Sequence, residues 1–186
     1  MDNKLELRMY GFVNYQLTGI QMGIQFSHAL TEYSLENFNS NDYLNWAKNW
    51  KTVILLNGGT TNNNPDKLGT LNQTYNTLLE NEVICSSFSE PDLGDQMTAI
   101  SFLVDERVFN RRVYLDFGDW VVENHFGYLK NNMLTSSKIE RMRKEGYFLT
   151  GNSAEKKLYS DWVDSVGGEK NVFLRDFLNP NKVKLA

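Results

Sequence analysis

The chain has 186 residues, 41% of them hydrophobic, with 13 glycines, 3 prolines and one cysteine, which excludes a disordered or low-complexity protein. Its length amounts to about 1.2 domains, one domain with an extension that needs the rest of the chain to fold against. The net charge of −4 conceals 5 Lys/Arg against 11 Asp/Glu over residues 1–104 and 14 against 12 over residues 105–186, so no global field favours a polyanion.

The first apolar segment, Leu5–Val13, is rich in β-formers and predicts a strand. A turn follows, and Ile20–Tyr33 has a helical pattern with Thr18 placed as its N-cap. A second short helix is expected over Asp42–Trp50, opening from Ser40 or Asn41. Lys51–Asn57 is an almost unbroken apolar run, the pattern of a strand covered on both faces, and it is expected to be central. Gly58–Gly69 predicts a polar turn; without a Gly-Lys-Ser/Thr it is no phosphate-binding loop. A helix over Leu71–Glu80 and strands over Val83–Phe88 and Met97–Val104 come next, the strands joined by the acidic turn Ser89–Asp95. Beyond Asp105 helices are expected at Trp120–Asn131, Ser136–Glu145, Ser153–Val166 and Val172–Leu178.

This order predicts an α/β fold: a four-stranded mixed sheet with helices on both faces over residues 1–110, and an all-helical extension over 111–186 packed on it. No apolar run approaches the ~18 residues needed to cross a bilayer, and no apolar leader precedes Asp2, Lys4 and Glu6, so a cytoplasmic protein with no membrane partner is expected. One cysteine forbids an internal disulfide. Cys85, His28 and His125 are too few for a Cys/His zinc site, and neither a metal nor a cofactor is expected.

The first helix carries the chemistry. Met22, Phe26, Ala29, Leu30 and Tyr33 make one apolar face, while Gln21, Gln25, His28 and Glu32, spaced i, i+4, i+7, i+11, stand in a row along another. An imidazole flanked by carboxamides can exchange a proton while the amides orient a substrate or water. The alternative is a solvent-facing polar stripe with an incidental histidine.

The stretch from Gly19 to Ala29, with Gln25-x-x-His28-Ala29 after an N-terminal strand, resembles the first helix of the type 2 peptidyl-tRNA hydrolases. The resemblance extends over about residues 5–104 in the order of elements: a Trp-containing segment, an apolar strand, a helix, a strand, an acidic turn and a final strand. It implies the family's fold and hydrolysis of an ester linked to RNA or a nucleotide. His28 would activate water, Glu90 or Asp92 would orient His28 or the water, and Gln21 or Gln25 would donate to a carbonyl or phosphate oxygen. Thr98 stands where the last strand begins. Gln21 stands where the family has a lysine, and an amide cannot hold a phosphate as an ammonium does. The opening is also similar to that of a group of small phage proteins, which implies a host-cytoplasmic setting and a second reading: a non-catalytic module that sequesters a nucleotide signal or a host protein.

Asn57, at a strand end, joins the substrate-binding candidates with Gln21, Thr98, Arg107 and Arg111; Arg107, Arg111 and Arg112 would supply an RNA contact. A second basic group, Lys138, Arg141, Arg143 and Lys144, reads equally as a helix surface interspersed with acids. The partners left open are tRNA or a nucleotide, a host protein, and a second copy in a homodimer. Cys85 is expected to be a small buried residue and His125 a structural one. Trp120, Phe126, Tyr128, Phe148, Tyr159, Trp162, Phe173 and Phe177 are expected to pack cores rather than stack bases.

Overall fold

The computed structural model describes residues 4–125 and 153–186. The sequence places the domain boundary at 110; the chain's own contacts divide it into Met1–Glu106 with Asp176–Ala186, and Arg107–Arg175.

The first unit is built from β1 (Leu7–Val13), α1 (Gly19–Asn37), α2 (Asn41–Asn45), β2 (Thr52–Asn57), α3 (Thr70–Glu80), β3 (Cys85–Glu90) and β4 (Gln96–Asp105). Its four strands form a mixed sheet in the order β2-β1-β4-β3, with β1 and β2 parallel and β4 antiparallel to both β1 and β3. Parallel neighbours require a crossover, which α1 and α2 supply.

The expectation that Lys51–Asn57 is central is corrected: β2 is an edge strand of the sheet, and β1 and β4 are the inner strands. An apolar run concerns the two faces of a strand, which here are covered only in part, with Leu56 buried and Val53 exposed, whereas a central position concerns its two hydrogen-bonding edges. Among the described residues, the outer edge of β2 is met near its end by the C-terminal residues. There the Asn57 N–H donates to the Lys184 carbonyl (2.9 Å) and the Ala186 N–H to the Leu55 carbonyl (3.1 Å).

Alternation along the inner strands sorts the core. Leu7, Met9, Val13 and Ala99 pack with Phe26, Ala29 and Tyr33 of α1 and with Trp46. Gly11, in the same row, has no room for a side chain, since a Cβ there would lie 2.3 Å from the Phe26 ring. On the opposite face Phe102 meets Tyr10 and Phe12 at centroid distances of 6.1 and 6.0 Å, and Phe177 sets its ring edge-on to Phe12 at 5.8 Å. The helix expected over Asp42–Trp50 is in two parts. After α2 the chain widens into a π-helical turn, Trp46–Trp50, where the buried Trp46 donates its indole N–H to the Thr52 carbonyl. Lys51, left-handed at φ 55°, then reverses the chain into β2.

The second unit contains α5 (Phe117–Asn124) and α6 (Ser153–Ser165); the short α4 (Glu106–Phe109) and α7 (Glu169–Phe177) begin or end across its limits. Phe117, Val121, Trp162, Val163 and Val166 form its core, with Trp120 and Tyr159 packed against them. Trp120, Tyr159 and Trp162 therefore pack a core as expected, and the Trp162 indole donates to the Leu115 carbonyl (3.0 Å). The expected helix at Ser136–Glu145 with its four basic residues, the far end of Trp120–Asn131, and Phe126, Tyr128 and Phe148 lie outside the described residues. No helix of the described residues is long and apolar enough to cross a membrane.

Candidate functional site

The helix that carries the site begins with a capping box. Thr18, in extended conformation, accepts from the Gln21 N–H (3.4 Å), and the Gln21 amide oxygen accepts from the Thr18 N–H (3.0 Å). Gln21 is thus turned back onto the helix end. One turn later the polar row divides: Gln25 is buried, whereas Gln21, His28 and Glu32 remain exposed.

Gln25 is buried with a partner at each of its two amide atoms. Its Nε2 donates to Glu90 Oε2 (2.5 Å), and its Oε1 accepts from Thr98 Oγ1 (2.6 Å). Only this orientation of the amide works, since the reverse would set a carbonyl oxygen against a carboxylate. Glu90 ends β3 and Thr98 lies near the start of β4, so a helix and two strands are joined at one carboxamide.

A β-bulge makes the join possible. Phe88 pairs with Ala99 but Ser89 with Met97, which leaves Thr98 as the extra residue of β4. Regular alternation would send Thr98 and Ala99 to opposite faces. At the bulge both turn toward α1: Ala99 enters the core beneath the helix and Thr98, fully buried, reaches Gln25.

His28 lies one turn beyond Gln25, exposed, with its ring stacked on Phe88 at a centroid distance of 4.6 Å and an interplanar angle of 26°. Phe88 and Glu90, two apart on β3, thus meet His28 and Gln25, three apart on α1, as two successive contacts. Gln25, His28, Glu90 and Thr98 are brought together in this way. The arrangement offers an exposed imidazole, a carboxylate with one oxygen held by an amide, and an apolar ring between them and the core.

The other candidates stand apart from that cluster. Asp92 is exposed in the 3-10 turn Pro91–Leu93 that follows Glu90. The Asn57 side chain accepts from the Gly59 N–H (2.8 Å) and so shapes its own turn. Arg107 and Arg111 belong to the second unit. There Arg111 bonds Asp116 (3.0 Å) and the Arg175 carbonyl, while the buried Arg175 bonds the other Asp116 oxygen (2.7 Å), the Tyr114 carbonyl (2.8 Å) and the Arg107 carbonyl. Burial lowers the pKa of Arg175, and the Asp116 carboxylate opposes that shift.

Two residues of the neighbourhood escape a reading by sequence. Phe88 looks like any strand aromatic, and only the helix laid over β3 gives it a role. Asn72, part of a glycosylation-like triplet, is buried and closes the 58–69 loop: its Oδ1 accepts from the Asn62 N–H (3.0 Å), and its Nδ2 donates to Asn63 Oδ1 (3.0 Å). Asn63 in turn donates to the Asp95 carbonyl (2.9 Å), tying that loop to the acidic turn.

Farther along the same helix the environment is dry. Burial pushes the Cys85 thiol from 9.0 up to about 11, with Glu36 acting in the same direction, and pushes the Tyr33 hydroxyl from 10.0 up to about 12. Cys85 is the buried residue its sequence context suggests. Among the described residues no three His, Cys, Asp or Glu side chains are grouped to hold a metal ion. Neither a family model nor a curated protein matches the chain.

Proposed function

We propose that the first unit hydrolyses an acyl ester carried by RNA or a nucleotide, as the type 2 peptidyl-tRNA hydrolases it resembles do. The observation that carries the reading is the Thr98–Gln25–Glu90 chain of hydrogen bonds beside an exposed histidine, on the helix and strand ends where the resemblance implies a site. His28 takes a proton from water as the water oxygen attacks the acyl carbon, and returns it to the ribose oxygen as the acyl–oxygen bond breaks. Glu90, fixed through Gln25, orients the water with its second oxygen. The order of strands, helices and acidic turn in the first unit is the order the resemblance implies, and it supports the reading further.

A second reading, a module that binds a nucleotide or a host protein without turnover, is favoured by one observation. Gln21, at the lysine's place in the family, is occupied in the helix cap. Release of the acyl group from peptidyl-tRNA separates the two. The hydrolase reading expects turnover by the wild type and a loss of about 100-fold or more in His28→Ala, the usual scale for a general base. Equal rates for the two proteins would remove it.

A further inference from the structure

We propose that Phe88 is a positioning residue that fixes the plane of the His28 imidazole; the proposal rests on the reading of His28 as the acid–base group of this site. Both imidazole nitrogens exchange protons in the plane of the ring, so proton transfer is confined to a set plane once the ring is held. An exposed side chain otherwise samples its rotamers on the picosecond to nanosecond scale. Among the described residues the His28 ring makes no hydrogen bond, and its one ring contact is the stack on Phe88, at 4.6 Å and 26°.

Phe88 is itself held. It is half-buried against the core beneath α1, its carbonyl lies 3.3 Å from Thr98 Oγ1, and it is the last residue before the bulge that brings Thr98 to Gln25. Glu90 follows it by two on the same strand. The rise between Gln25 and His28 is about 4.5 Å along a helix, and that between Phe88 and Glu90 about 6.6 Å along a strand. The imidazole and the Gln25-held carboxylate are therefore spaced by a helix and a strand, and the stack covers one face of the imidazole of a residue that is otherwise exposed.

Phe88→Leu keeps an apolar side chain and removes the ring, whereas Phe88→Tyr keeps the ring. The His28 Hδ2 and Hε1 resonances, read by NMR in the full chain, are expected to be shifted upfield in the wild type and in Phe88→Tyr, and to lose that ring-current shift in Phe88→Leu. Peptidyl-tRNA hydrolysis by Phe88→Leu is expected to show kcat reduced about tenfold at little-changed KM, the scale of a misoriented catalytic group, with recovery in Phe88→Tyr. Unchanged His28 shifts in Phe88→Leu would overturn the proposal, and so would altered shifts with unchanged kcat. A wild type that hydrolyses no ester refutes the reading of the site and the catalytic role given to Phe88 with it, while the ring shifts still report whether Phe88 orients His28.

Discussion

At the scale of single residues, one hydroxyl governs the candidate site. Thr98 Oγ1 has one proton and two acceptors in reach, Gln25 Oε1 at 2.6 Å and the Phe88 carbonyl at 3.3 Å, and the shorter contact takes it. Thr98→Val strands a buried amide oxygen and is expected to lower stability by about 1–3 kcal/mol in chemical denaturation, with Thr98→Ser recovering most of the loss. A Thr98→Val protein as stable as the wild type would contradict the bond. Cys85 gives a second check. The fold favours its neutral thiol, so the stability this provides is complete below pH 9 and is lost as the pH rises from 9 toward about 11; Tyr33 adds a loss of the same sign between 10 and 12. At pH 8 iodoacetamide is expected to modify the folded protein slowly and the urea-unfolded chain rapidly, and equal rates would contradict the burial. The sequence names Gln25 and His28 from type and spacing, and Glu90 and Thr98 through the family resemblance. It assigns Thr98 to substrate, whereas the structure buries it behind Gln25, because a bulge leaves no mark in the pattern of apolar residues.

At the scale of elements, α1 was legible, and β2 was legible as a strand but not in its place within the sheet. Thr18 announces the helix start, the 3.6-residue period assigns Phe26, Ala29 and Tyr33 to the core, and the structure agrees at each. The same period places Gln25 with the exposed polar residues, since a side chain buried through hydrogen bonds is indistinguishable from a solvated one until its partners are known. For β2, apolar content suggested two covered faces, but Leu56 alone is buried and Val53 is exposed, and the pattern said nothing of the neighbouring edge. The closeness of α1 to β1 depends on Gly11, where an added Cβ would meet the Phe26 ring at 2.3 Å and the Ile100 carbonyl at 3.2 Å. Gly11→Ala is expected to destabilise the protein by about 1–3 kcal/mol, the usual range for overpacking a core. A melting temperature equal to that of the wild type would show that the helix does not press on the sheet at this point.

At the scale of the whole molecule, the chain's charge asymmetry has a structural counterpart in its two units. The acidic first unit holds every member of the candidate site cluster, and Arg107 and Arg111, expected from sequence to touch RNA, belong to the second unit, where Arg111 shares Asp116 with the buried Arg175. Charge count reveals how many arginines a segment has, but the bonds that join Arg111 and Arg107 to Arg175 link residues 64 and 68 apart in the chain, which no local pattern records. The last residues, Asp176–Ala186, group with the first unit for the same reason: the bonds of Lys184 and Ala186 to β2 are made only after folding. In the function proposed above, the first unit cleaves an acyl ester rather than merely holding one. A single-turnover experiment, with the protein in excess over labelled peptidyl-tRNA, tests it most directly. The bound ester is expected to be converted to free peptide and tRNA, with conversion abolished in His28→Ala; recovery of bound, intact ester from the wild type would contradict cleavage.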